Sequence, residues 1–192
     1  MKIVCLGDSL TRGYRVKRGE TWPALLGEGL QAKVINKGIN GDTTGGMLAR
    51  FTSDVVNEKP SHAIIMGGGN DLMWGVPLPV IKANVFAMVH QAYHHLIVPI
   101  IGVPLPFAGE MAKIHWPVMD NPDAANEYLA QYRKWILGLT ENFQIKTLDF
   151  YPLFMDSDNM VKDSLYIDGL HPTAEGNLMM NDLAVKYCSS IK

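Results

Sequence analysis

"KIVCLGDSLTRGY", residues 2–14, runs from an apolar stretch into a crowded turn. Ile3-Val4-Cys5-Leu6 is short, uninterrupted and rich in β-formers, the pattern of a strand covered on both faces. Two glycines, a carboxylate and two hydroxyls then fall within residues 7–13, where the backbone has to leave the strand sharply. A parallel strand handing over to a helix looks like this. In such sheets, polar groups at the carboxyl end of a strand face the ligand crevice. Ser9 is therefore either the polar start of a loop or a nucleophile, and the rest of the chain has to decide.

Outward from there the alternation repeats. "AKVIN", "HAIIMG", "IVPIIGV" and "IKTLDF" read as four further strands, and 43–57, 79–95, 122–142 and 173–189 carry helical spacing between or after them. Thr21 before "WPALLGEGL" has the form of an N-cap with proline in the first turn of a short helix. Strand–helix alternation at this length predicts one α/β domain over 1–192, with a parallel sheet and helices on both faces. No composition shift, repeat or low-complexity linker marks a boundary. The longest loops, 67–78 and 103–121, hold Met73, Trp74, Leu105, Phe107 and Trp116. That is more apolar surface than a bland loop carries, and it nominates these five as substrate contacts.

The 192 residues are 47% hydrophobic and 19% charged, an ordinary soluble balance. A net charge of −2 gives no reason to expect nucleic acid or an anionic membrane as partner. No apolar run approaches a membrane span, and "MKIVCLGDS" lacks a signal-peptide core, so the chain reads as cytoplasmic; a mature exported form would read the same. Cys5 and Cys188 make no disulfide framework, and Cys5, inside its apolar run, reads as core.

Serine needs a hydrogen-bonded base held by a third group. His90, His94 and His95 fall on one helical pattern and read as a solvated face, His62 opens a strand, and His115 lies in the 103–121 loop. His171 differs. It stands in "DGLHP", three residues after Asp168 and before Pro172. An aspartate at that spacing in a turn can reach Nδ1–H and leave Nε2 facing outward as a base. Taken alone, the motif fits a helix-capping turn equally well; its place after the last strand favours the pair. Asn70 in "GGGND" and Gly41 in "NKGINGDTTGG" follow strands and could donate to an oxyanion, though both residue types also serve ordinary turns. G-x-S-x-G, a Walker loop, H-E-x-x-H and paired C-x-x-C are absent, and "DSDNMVKD" (156–163) is an acidic turn, not a calcium loop.

With Ser9, Gly41, Asn70, Asp168 and His171 in this order, the chain resembles the GDSL esterases, or SGNH hydrolases, nearly end to end. "GDSL", "INGDTT", "GGND" and "DGLHP" match that family's four blocks. "LGDSLTRGYR" and "INGDTTGGMLARF" look most like bacterial arylesterases and lysophospholipase/thioesterase-like acylhydrolases. The resemblance implies a flavodoxin-like three-layer α/β/α fold with a five-stranded parallel sheet. It implies Ser9 as nucleophile and first oxyanion donor, Gly41 N–H and Asn70 as the other donors, His171 as base and Asp168 as orienter. The expected activity is hydrolysis of short- to medium-chain acyl or aryl esters, small molecules, with no metal and no organic cofactor. Sugar O-deacetylation and acyl transfer would use the same groups. A remote alternative is an FMN-binding electron carrier, with Ser9 and Thr11 on the phosphate.

Overall fold

Residues 1–119 and 121–189 are described by the computed structural model. β1 (Lys2–Gly7) splits the core by its alternation. Val4 and Leu6 pack into one apolar cluster, while Ile3 and Cys5 pack into the other. β2 (Lys33–Gly38), β3 (His62–Met66), β4 (Val98–Val103) and β5 (Lys146–Asp149) complete a parallel sheet in the order β2-β1-β3-β4-β5. That is the flavodoxin-like order, with the direction of winding reversing between β1 and β3.

On the Val4/Leu6 side lie α3 (Thr44–Ala49), α4 (Phe51–Asp54), α6 (Leu78–His94) and α8 (Pro122–Asn142), contributing Met47, Phe51, Val85 and Leu129. On the Ile3/Cys5 side lie α2 (Trp22–Leu30) and α9 (Ala174–Cys188), with Trp22, Leu26 and Met180. Short helices α1 (Ser9–Arg12), α5 (Gly69–Met73) and α7 (Gly109–His115) sit at the carboxyl ends of β1, β3 and β4. The two long loops of the sequence reading thus each hold a helix.

The remaining differences have local causes. The 43–57 pattern breaks at Arg50 (φ −101°, ψ 8°), where the guanidinium turns in to donate to the carbonyls of Gly7 and Lys37. Thr21 does not cap α2: its hydroxyl donates to the Arg18 carbonyl, and Asn177 Oδ1 of α9 accepts Trp22 N–H instead. A long-range cap has replaced the local one. Cys5 and Cys188 are buried free thiols, and burial pushes both up, Cys188 to about 11. No helix among the described residues is long and apolar enough to cross a membrane.

Candidate active site

The turn after β1 is fixed before any ligand arrives. Asp8 caps α1 through Oδ1, which accepts Leu10 N–H at 2.9 Å, and Gly13, with φ 83°, closes it by donating to the Ser9 carbonyl. Ser9 N–H, in the first position of α1, is left free of that cap. Gly7 has to be glycine, because a Cβ there would stand 2.1 Å from Thr11 Oγ1 and 2.7 Å from the Met66 carbonyl. Trp22 secures the far side, donating its Nε1–H to the Leu10 carbonyl at 3.0 Å. Thr11 is fully buried, so the Ser9/Thr11 phosphate pair of an electron carrier is not available.

His171 Nε2 lies 2.9 Å from Ser9 Oγ, and His171 Nδ1 lies 3.0 and 2.9 Å from the two Asp168 oxygens. An ionised carboxylate only accepts, so Nδ1 carries the hydrogen and Nε2 is the acceptor for the serine hydroxyl. Asp168 Oδ1 also accepts the N–H of Leu170 at 3.2 Å and of His171 at 3.0 Å. Burial opposes ionisation of this carboxyl, yet those bonds outweigh it and hold Asp168 at about 2. Asp8 goes the other way. Burial pushes it up to about 7 against the Leu10 N–H, with Asp42 and Asp71 adding to the rise. Ser9, His171 and Asp168 are 7%, 5% and 1% exposed, so their hydrogen bonds face little competition from water.

Asn70 is the second residue of α5, and its Nδ2 donates to the Asp42 carbonyl at 2.9 Å, leaving the second N–H of that amide for a ligand. Gly41 has φ 75° and empty space where a Cβ would stand. Ser9, Gly41, Asn70 and His171 line one cavity of about 290 Å³ together with Tyr14, Met73, Trp74 and Trp116. Trp74 is 58% exposed at its rim. Leu105 and Phe107 are buried, one in each apolar cluster, and both also line a second crevice together with Ser9, Asn70 and His171. That crevice is small, about 20 Å³.

His115 sits on α7, exposed, with Nδ1 2.9 Å from the Met111 carbonyl, and His90, His94 and His95 lie on an exposed helix face. Tyr14 is the contact that sequence reading missed. Its ring stands 4.3 Å from the His171 ring, tilted by 42°, with Trp116 on His171 at 5.6 Å and the Arg15 guanidinium over Tyr14 at 5.2 Å. Nothing local to "RGYR" signals a partner so far along the chain.

The chain matches the GDSL-like lipase/acylhydrolase family over residues 5–178. It is 29% identical over 182 residues to an arylesterase of Vibrio mimicus, covering 91% of this chain and 81% of that one. With Esterase TesA of Pseudomonas aeruginosa the identity is 27% over 187 residues, covering 93% and 84%. The solved structure of a G-D-S-L family protein from Desulfitobacterium hafniense superposes with a TM-score of 0.84 at 32% identity, covering 97% of this chain and 98% of that one.

Proposed function

The chain belongs to the GDSL-like lipase/acylhydrolase family and is a carboxylic ester hydrolase, and we propose that it cleaves short acyl and aryl esters through an acyl-enzyme on Ser9. The 2.9 Å contact between Ser9 Oγ and His171 Nε2 carries the reading, because 162 residues separate the two and the Asp168 contact fixes the proton on the opposite nitrogen. Ser9 Oγ attacks the ester carbonyl as Nε2 takes its proton. The charge that develops on oxygen is met by Ser9 N–H, Gly41 N–H and the free Asn70 N–H. Collapse of that intermediate expels the alcohol, which leaves with the proton from His171. Water, deprotonated by the same nitrogen, then attacks the acyl carbonyl and releases the acid, returning the proton to Ser9.

The walls set the substrate. Tyr14, Met73, Trp74 and Trp116 offer an apolar face of limited reach in a cavity of about 290 Å³, which favours short acyl groups. The test is hydrolysis of p-nitrophenyl esters from acetate to laurate by the wild type and Ser9→Ala. Turnover that is greatest at the short end and vanishes in Ser9→Ala is expected. Retained activity in Ser9→Ala overturns the mechanism, and a laurate optimum overturns the assignment of the walls.

A further inference from the structure

The segment from Ile39 to Thr44 carries Gly41, and side chains that touch no substrate hold it from two sides. On one side stands Arg50 of the α3–α4 junction. Its Nε donates to Asp42 Oδ2 at 2.8 Å, Nη1 to the Lys37 carbonyl at 2.9 Å, and Nη2 to the Gly7 carbonyl at 2.9 Å; Nη1 also meets Asp54 Oδ2 at 2.7 Å. One planar guanidinium thus binds the carboxyl ends of β1 and β2 and the residue after Gly41. On the other side stands Asp71, 1% exposed, next to Asn70 on α5. Its Oδ2 accepts Thr44 N–H at 2.8 Å and its Oδ1 accepts the Thr44 hydroxyl at 2.6 Å, while Asn84 Nδ2 donates to that hydroxyl at 3.1 Å. Between the two anchors, the Asp42 carbonyl receives Asn70 Nδ2–H.

These bonds exceed what a surface loop needs for its own order, and they share one geometric consequence. They fix the separation between Gly41 and Asn70, which come from different strand ends. We propose that Arg50 and Asp71 are positioning residues for the oxyanion hole, clamping residues 39–44 so that Gly41 N–H and the free Asn70 N–H converge over Ser9. This rests on the reading of Ser9, Gly41 and Asn70 given above. A lysine cannot replace Arg50, because a point ammonium does not span carboxylates and carbonyls in one plane. A misplacement of about 1 Å in such a donor can cost on the order of 100-fold.

The experiment compares wild type, Ser9→Ala, Arg50→Lys, Thr44→Val, Thr44→Ser, Asn70→Ala and the two doubles Arg50→Lys/Asn70→Ala and Thr44→Val/Asn70→Ala. Each is assayed for kcat and KM on p-nitrophenyl acetate, well below its own Tm. Arg50→Lys and Thr44→Val should each lower kcat roughly 10- to 100-fold while KM stays within about threefold. Thr44→Ser, which keeps the hydroxyl, should restore kcat. Each double should lose less than the product of its singles, since part of each clamp loss falls on the Asn70 donor that Asn70→Ala has already removed. Unchanged kcat, a loss carried by KM, or losses that multiply fully would make the clamp structural only. If Arg50→Lys does not fold, the three Thr44 variants decide in the same way. Wild-type turnover that survives Ser9→Ala instead overturns the catalytic reading, and the clamp falls with it.

Discussion

Asp168→Asn gives the sharpest quantitative check on the site. The carboxylate receives two backbone N–H groups and the His171 ring, and folding takes it from 3.8 to about 2. That fall corresponds to roughly 2 kcal/mol favouring the folded, ionised form. Because the side chain is buried, no large discount for solvent applies. The folded value lies below the unfolded one, so the contribution is complete above about pH 5 and is lost as pH falls through about 2. By the same linkage, about half of it remains at pH 3. Asparagine still accepts the backbone N–H groups through its oxygen but presents N–H to an Nδ1 that already carries hydrogen. For a chain of this size, Asp168→Asn should lower Tm by about 5–10 °C at pH 7, and by about half as much at pH 3. Calorimetry at the two pH values measures both gaps. Turnover should fall by about 10⁴, as expected when the orienting partner forces the wrong tautomer. Equal Tm gaps at the two pH values would refute the ionised-carboxylate reasoning, and a kcat within tenfold of wild type would remove Asp168 as orienter.

Two further perturbations test the neighbourhood. Asp8 is raised to about 7, so its favourable contribution is present below about pH 4 and lost as pH rises through 7. Asp8→Asn, which keeps an acceptor for Leu10 N–H, should gain Tm relative to wild type as thermal melts move from pH 4 to 8, and a constant difference would show that burial does not perturb Asp8. Tyr14→Ala should lower kcat roughly 2- to 30-fold by taking an aromatic face away from the imidazolium that forms in each step, whereas Tyr14→Phe should keep it. Equal losses in both would point to the phenol oxygen instead of the ring face.

What could be read from the sequence follows the reach of the signals. Ile3–Leu6, the turn at Gly7–Ser9 and the Asp168/His171 spacing are all encoded within a few residues, so pattern reading found them. Gly41 and Asn70 were visible as polar turns after strands, because topology guarantees that such turns share one edge of a parallel sheet. Arg50, Asp71 and Tyr14 were invisible for the opposite reason. Their partners are at Gly7 and Lys37, at Thr44, and at His171, and no local periodicity encodes those distances. Apolarity also could not separate Leu105 and Phe107 from Trp74. A loop residue tucked behind a strand end and one left at a cavity rim have the same composition.

The two halves of the site are held by different physics. Ser9, Gly41 and Asn70 stand where β1, β2 and β3 end, so ladder hydrogen bonds and Arg50 set their spacing. Asp168 and His171 come after β5, at the edge of the sheet away from β2, and must return across the strand ends to meet Ser9. No strand fixes that return. It is tied instead by Tyr166 Oη on the Pro106 carbonyl, by Ala108 N–H on the Gly169 carbonyl at 2.9 Å, and by Ile167 N–H on the His171 carbonyl at 2.8 Å. The 103–108 stretch therefore acts as a strut for His171, and this accounts for Leu105 and Phe107 being packed into the core. An apolar anchor under that strut keeps Nε2 within reach of Ser9 in a segment that has no sheet of its own.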